Sequence, residues 1–521
     1  MPSPTKPPPV ESTAAANSRL TRLGPALFAA AAFVLHAACL GRYGLFRDEL
    51  YFLVCGQRLS TGYVDQPPGI ALVARLAFAL FGTWVPGLRL FAWIAVAGTV
   101  YLAGRLSARI SGGGTAATLG ALAAFSCPVL QGASHTLSMN AFEPFLVVAL
   151  AHVLLRLSQG EDPRLWVAAG GLAGLSVLMK YTAGPLALFL IVGLAVAPAR
   201  RALRTPWALA GAAFGALLVL PNLAWQASHG FPFLGLVHAA VAFKNTPTGP
   251  AQFLEGLFLE ANPLNAPLWA GGLLWLLFAP RARAARLVGI GGLLQLLALT
   301  FGRAKPYYAT ALLPLLLAGG AVAAEAVVRS ALARRTYGAL VLANALFLAP
   351  LAVPILPVEA LVRYLGAVRF RPAQNERLEE SVLPQNFADQ FGWRELTAGV
   401  ARVYRSLPPE EKAHAAVFGE NYGVASAVEI LGPQFGLPRG LVFSGHNQYW
   451  FWGIPPGRGD PLILVSDRDS KCKGLYREQL LGEQLPVLPY AMPYENGHAI
   501  WICRGLKVAP GRMPPSLRHF E

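Results

Sequence analysis

The chain has 521 residues, 55% of them hydrophobic and only 13% charged, with mean hydropathy +0.46, against roughly 25% charged residues in an ordinary soluble domain. Water is excluded as its main solvent. The net charge of +16 comes from arginines that interrupt apolar runs rather than from a basic stripe with interleaved aromatics, which excludes nucleic acid as the explanation.

In chain order, residues 1–23 are rich in Pro, Ala, Ser and Thr, with Arg19 and Arg22 next to the first apolar run. They are expected to form a disordered cytoplasmic tail; the charges lie too far in for a cleavable signal peptide. Eleven segments then approach the ~20 apolar residues a spanning helix needs: 24–41, 86–106, 115–131, 138–157, 165–179, 182–198, 207–226, 265–280, 287–302, 309–328 and 336–356. Thirteen arginines fall in alternate loops, at 105, 109, 156, 164, 200, 201, 204, 281, 283, 286, 329, 334 and 335. The positive-inside rule assigns those loops to the cytoplasm. The opposite loops carry Asp48, Glu49, Asp65, Glu143, Glu255 and Glu260, and an odd number of spans puts the C-terminal part on their side.

The expected organisation is therefore a membrane domain over 24–358 and an extracytoplasmic domain over 359–521. In the latter, charges become frequent, and β-like runs (Ala415–Phe418, Leu441–Ser444, Leu462–Ser466, Ala499–Cys503) alternate with helix-like ones (Trp393–Leu407, Val424–Leu431). That pattern predicts a small α/β domain. Of five cysteines, only Cys472 and Cys503 fall in this region, and an extracytoplasmic location would permit a disulfide between them.

Between Gly41 and Trp84 the chain is neither a clean span nor a polar loop. Phe46, Leu50, Leu53 and Val54 recur at helical spacing, which predicts a helix lying in the membrane interface. Pro67 forces Gln66 out of the helical region, and Pro68 opens a second interfacial helix through Phe81. Asp48 and Glu49 are about 100° apart on a helix, so only one of them can face a given site. Lys180 interrupts more than thirty apolar residues and needs a partner or a function. Arg303, Lys305, Tyr307 and Tyr308 gather after the ninth segment, where two cations and two phenols suit an anionic head group. Ser138 and Asn140 read as a helix start, with Glu143 one turn inside. Near the C-terminus His446, Asn447, Tyr449 and Trp450 offer polar groups beside aromatic faces, either as an acceptor-sugar surface or as an aromatic strand of the small domain's core.

Acids facing a hydroxyl and cations facing a phosphate suit group transfer from a phospholipid-type donor, with a carboxylate as general base and cations stabilising the departing phosphate. A transporter of a lipid-linked sugar is the alternative, but it predicts matching interrupted helices in two halves, and no internal symmetry is visible.

Four stretches carry a family resemblance: Arg47-Asp48-Glu49-Leu50-Tyr51-Phe52, Gly62-Tyr63-Val64-Asp65-Gln66-Pro67-Pro68, Leu178-Met179-Lys180-Tyr181 and Lys305-Pro306-Tyr307-Tyr308. With them the chain resembles the glycosyltransferase 39-like membrane enzymes of GT-C fold, which include protein O-mannosyltransferases, lipid A aminoarabinose transferases and lipopolysaccharide-core galacturonosyl transferases. The resemblance implies an all-α polytopic catalytic domain in the bacterial inner membrane, a polyprenyl-phosphate-sugar donor, and a lipid, glycan or protein acceptor. It makes Asp48 the base, places Asp65 at the acidic position before the Pro pair, and sets Lys180, Lys305, Tyr307 and Tyr308 at the donor phosphate; from the residues themselves Glu49 joins Asp48 and Asp65 as a catalytic candidate, and Tyr181 and Arg303 join the donor-phosphate group. No cofactor is certain. A divalent metal would sit at Asp48 or Asp65, although Gln66 replaces the lysine found in metal-binding relatives. Phe418–Gly423 and Ser444–Gly453 resemble the family's exoplasmic domain.

Overall fold

The computed structural model describes residues 10–111, 113–246, 248–370, 381–466, 470–507 and 513–520. The first two thirds are helical: α1 (Val10–Ala37), α2 (Arg47–Gln57), α3 (Gly69–Phe81), α4 (Val85–Ser111), α5 (Gly114–Phe125), α6 (Pro128–Ala133), α7 (Met139–Ser158), α8 (Leu165–Met179) and α9 (Ala183–Val196). They continue as α10 (Pro206–Ser228), α11 (Pro232–Ala239), α12 (Pro250–Glu260), α13 (Ala266–Phe278), α14 (Arg286–Phe301), α15 (Leu313–Val327) and α16 (Ala331–Ala352).

Each of the eleven apolar segments coincides with helix. Among the described residues, however, only five helical stretches are long and apolar enough to cross a bilayer by themselves: Val85–Ser111, Met139–Ser158, Pro206–Ser228, Pro280–Phe301 and Ala331–Ala352. The rest are shorter apolar helices, and the expected third span is split into α5 and α6 at Ser126-Cys127, where Pro128 begins a new helix. Leu209, Leu217 and Leu220 stay exposed on α10, as side chains facing lipid do. The chain is a multi-pass membrane protein.

Small residues let the helices approach closely. A Cβ on Gly170 of α8 would lie within bonding distance of the Gly211 carbonyl of α10, so that contact accepts nothing larger. Polar residues set the starts: Ser138 accepts from the Asn140 amide at 3.3 Å to cap α7, and Thr205 accepts from the Trp207 amide at 3.0 Å to cap α10.

Two expectations are corrected here. α1 already begins at Val10, inside the stretch expected to be a disordered tail; residues 1–9 of that tail lie outside the described residues. α2 is a helix as the spacing required, but it does not lie at the lipid interface. Residues Glu49 to Gly56 are all buried, because the C-terminal region covers the face that a bilayer surface was expected to cover. α3 does keep the interfacial pattern, with Ile70, Ala71, Ala74 and Ala77 buried and Leu72, Leu76 and Leu80 exposed.

The C-terminal region consists of α17 (Val358–Ala367), α18 (Gln385–Ala388), α19 (Trp393–Ser406), α20 (Pro409–His414), β1 (Ala416–Gly419), α21 (Tyr422–Leu431), β2 (Val442–Phe443), α22 (Gln448–Trp452), β3 (Leu462–Ser466), α23 (Ser470–Leu475), β4 (Tyr476–Gln484) and β5 (Ala499–Leu506). The strands form one sheet in the order β2-β1-β3-β5-β4. β2, β1 and β3 are parallel, and β3, β5 and β4 antiparallel. β4 escaped the sequence reading because its outer positions are mostly polar and exposed. The expected aromatic strand around Tyr449 is instead a loop leading into the short helix α22. Cys472 and Cys503 form a disulfide, their Cα atoms 5.9 Å apart, within the usual range for bridged residues.

Candidate active site

The site grows from two loops meeting at one place. α2 carries Asp48 and Glu49 in its first turn, where the helix dipole favours acids. After α2, the 58–68 loop winds around Tyr63, whose hydroxyl donates to the Cys55 carbonyl at 2.9 Å and accepts from the Ser60 amide at 3.0 Å. This turn presents Asp65. From the other side, the loops leaving the carboxyl ends of β1 and β2 supply Tyr422, Asn447 and Gln448. The carboxyl ends of parallel strands are where open α/β sheets place their crevices.

Asp48 is partly open, its side chain 35% exposed, and Oδ1 lies 3.7 Å from Arg47 Nε. The same oxygen accepts from the Tyr422 hydroxyl at 2.8 Å. Asp65 accepts from the Tyr51 hydroxyl at 3.0 Å and from Asn447 Nδ2 at 3.3 Å. The Tyr51 and Tyr422 rings pack with centroids 4.8 Å apart. Two phenols thus bridge the two acids. Burial pushes the Asp65 carboxyl up to about 7, helped by the nearby Asp48 charge and opposed by the Tyr51 and Asn447 hydrogen bonds. Gln448 locks the loop by accepting from the Val64 amide at 3.1 Å, while its own amide donates to the Tyr51 hydroxyl at 3.3 Å.

Glu49 points elsewhere, as the 100° separation required. It is 1% exposed beside the fully buried Arg89. Arg89 Nε and Nη2 donate to its two oxygens at 2.8 and 2.7 Å, and the Leu137 and Phe46 amides donate at 2.7 Å each. A carboxylate with four donors, two of them from a bidentate guanidinium, is a structural anchor, so the structure does not bring Glu49 to Asp48 and Asp65.

A second cluster surrounds the break between α8 and α9. Lys180 Nζ is 2.9 Å from Glu143 Oε2, and the Thr182 hydroxyl donates to the other oxygen at 2.8 Å. The ammonium also lies 5.7 and 5.1 Å from the Tyr307 and Tyr308 ring centroids. Lys180, Tyr307 and Tyr308 therefore come together as the sequence suggested, but with Glu143 as direct counter-ion. Lys305 is buried at the start of this turn and Arg303 is exposed. Asn140 lies in the first turn of α7, where Ser138 is the cap, and donates Nδ2 to Ser138 Oγ at 3.0 Å.

Tyr181 joins the two clusters. Its hydroxyl donates to Asn222 Oδ1 at 2.9 Å and accepts from Gln226 Nε2 at 3.2 Å. The same two α10 residues hold the Asp65 loop by its carbonyls, Asn222 Nδ2 to Thr61 at 2.9 Å and Gln226 Nε2 to Tyr63 at 2.8 Å. Gly69 closes the arrangement: a Cβ there would stand 2.6 Å from the Leu178 carbonyl.

Of the remaining candidates, His446 packs between Tyr422 and His519 at 4.9 and 4.2 Å. Tyr449 is fully buried and donates to Glu429 at 2.9 Å. Trp450 is partly exposed on α22. Only Asn447 of this group reaches an acid of the site. As for a metal, no three His, Cys, Asp or Glu side chains cluster as a binding group among the described residues. Both Asp65 oxygens accept hydrogen bonds, from Tyr51 and Asn447.

The fold that carries these residues matches known architecture. A sequence model of the family described as dolichyl-phosphate-mannose-protein mannosyltransferase matches residues 65–225, the stretch from Asp65 through Lys180 to Trp225. No curated protein matches the chain in sequence. Apo ArnT from Cupriavidus metallidurans superimposes with a TM-score of 0.59 at 15% identity, covering 94% of this chain and 98% of that one. The chain has the ArnT fold. The ArnT structure bound to undecaprenyl phosphate gives a TM-score of 0.57 at 16% identity with the same coverage. The Archaeoglobus fulgidus oligosaccharyltransferase tethered to an acceptor peptide gives 0.51 at 13% identity, over 80% of this chain and 64% of that one. The ArnT fold is the GT-C arrangement that the four motifs implied.

Sequence reasoning missed Tyr51 and Tyr422 as site residues, and Asn222 and Gln226 altogether. The last two left a signal: a polar pair at i and i+4 shares one helix face and stands out inside the apolar α10. Tyr422 left none, because only the tertiary fold carries it to Asp48.

Proposed function

We propose that the protein is a membrane glycosyltransferase that moves a sugar from a polyprenyl-phosphate donor to an acceptor hydroxyl. The observation that carries this reading is the pairing of a half-exposed Asp48 with Asp65 through Tyr422 and Tyr51, beside a cluster of Lys180, Tyr307 and Tyr308. In the proposed reaction Asp48 accepts the acceptor's hydroxyl proton. The acceptor oxygen bonds to the anomeric carbon as the bond from that carbon to the phosphate oxygen breaks, and polyprenyl phosphate departs with the electron pair. One such displacement inverts the anomeric centre. Lys180 has three N–H donors, one of them directed to Glu143, and with Tyr307, Tyr308, Lys305 and Arg303 it would take the charge developing on the phosphate. Asp65 orients the sugar or its acceptor through the Tyr51–Asn447 bracket.

Support for a lipid-phosphate donor comes from the family model, described by its dolichyl-phosphate-mannose donor, and from ArnT, solved with undecaprenyl phosphate. The matched structures are transferases, not transporters. The arginine asymmetry supports a cytoplasmic N-terminus and a site on the opposite face, in a bacterial inner membrane. By the same reading, residues 24–358 form the catalytic membrane domain and 359–521 an extracytoplasmic one. Whether the sugar is a hexose or pentose, and whether lipid A, a glycan or a protein receives it, is decided by assay. Membranes containing the protein are incubated with a panel of radiolabelled polyprenyl-phosphate sugars, and label is followed into lipid, glycan and protein. Transfer from one donor class into one pool is expected; no incorporation from any active donor preparation overturns the reading.

A further inference from the structure

α4 and α7 both start beside the Glu49–Arg89 pair and run away from it, so their last turns lie about 25–30 Å further along the bundle at 1.5 Å per residue. Between those turns is a cavity of about 460 Å³ whose walls include Tyr101, Leu102, Arg105, Arg109, His152 and Arg156. Glu161 ion-pairs with both Arg109 and Arg156, which leaves one carboxylate against three guanidinium groups. Arg105 gives one donor to the Thr21 carbonyl at 2.9 Å.

Positive-inside bias accounts for arginines at this end of the bundle. It does not account for three of them, from two helices, converging on one cavity. The cavity is also polarised along its length. Its charged end is at Arg109 and Arg156, while Tyr101 and Leu102 lie two turns back on α4, about 12 Å away. A free phosphate would use only the first end; a lipid uses both.

We propose that this cavity seats the phosphodiester headgroup of an anionic phospholipid, with its glycerol and acyl chains leaving past Leu102 and Tyr101. Basic pockets between helices at a membrane surface select such headgroups. The site stands apart from Asp48 and is independent of the transferase reading.

The test is native mass spectrometry of the full-length protein in detergent with phosphatidylglycerol or phosphatidylcholine of identical acyl chains. Phosphatidylglycerol should be retained at least about tenfold better. The double variant Arg105→Gln/Arg156→Gln should bring the two lipids within about twofold. Leu102→Trp, which fills the apolar end and leaves the charges in place, should weaken phosphatidylglycerol as well. Equal retention of the two lipids by the unaltered protein overturns the proposal whether or not a variant folds, and so does an unchanged preference in Arg105→Gln/Arg156→Gln together with undiminished phosphatidylglycerol retention in Leu102→Trp. Displacement of phosphatidylglycerol by millimolar inorganic phosphate, with Leu102→Trp unaffected, overturns the lipid assignment in favour of a soluble anion.

Discussion

Two adjacent acids at the start of α2 have opposite fates, and the difference is set by what surrounds them. Glu49 is buried with four donors, so Glu49→Gln leaves Arg89 as an uncompensated buried charge; the loss should be about 3–5 kcal/mol, visible as a lowered melting temperature in detergent. Asp48→Asn, at a partly exposed position, keeps an oxygen to accept from the Tyr422 hydroxyl and should cost no more than about 1 kcal/mol. Asp65 makes a pH prediction whose sign is fixed by its environment. Its carboxyl is held up at about 7 by burial while the Tyr51 hydroxyl favours the ionised form. If the ionised form is the working one, the transfer rate rises with pH through about 7. Tyr51→Phe removes a donor to the carboxylate, raises its pKa further and moves that rising limb to higher pH. A limb that stays put in Tyr51→Phe, measured in initial-rate profiles, would detach the limb from Asp65.

At the scale of elements, the start of α3 and the end of α8 are pressed together with no room for a side chain at Gly69. Gly69→Val should cost about 1–3 kcal/mol as an overpacked contact and should also reduce transfer, because the displaced loop carries Asp65 and the displaced turn precedes Lys180. Unchanged transfer in that variant would show the two elements to be uncoupled. The main apolar helices were legible from apolar runs ended by the Lys180 turn and by arginine loops, whereas the break at Pro128 and the helices α11 and α12 were not read from them. The parallel strands were legible as well, since their continuous apolar runs announce burial on both faces. Less legible were elements whose environment comes from elsewhere in the chain. α2 reads as interfacial because its sequence is amphipathic, and only its burial under α21 shows that protein covers it. β4 carries no apolar run to mark it, because an edge strand with one exposed face keeps few apolar residues.

For the whole molecule, the membrane bundle and the C-terminal sheet each contribute half of a site. Arg47 shows how tightly they are joined. It contacts Asp48 at 3.7 Å on its own helix and Tyr494, Asp389 and Glu495 at 2.8, 3.7 and 3.9 Å on the C-terminal side. The candidate acids were legible because charge is conspicuous in an apolar chain, whereas their phenol and amide partners lie hundreds of residues away and only the fold assembles them. Asn447, with φ +49°, can become glycine without backbone strain. Asn447→Gly should lower transfer by about tenfold through loss of one donor to Asp65 and should cost about 1–3 kcal/mol of stability, because the buried carboxylate oxygen is left without that donor. Full activity would remove Asn447 from the site. The most direct test of the account is the single-turnover rate of sugar transfer from the polyprenyl-phosphate donor found in the labelling panel, compared between the unaltered protein and Asp48→Asn. A fall of about 10²–10⁴-fold, with donor binding and melting temperature retained, is the predicted result; a rate equal to that of the unaltered protein would contradict the assignment of Asp48 as the base.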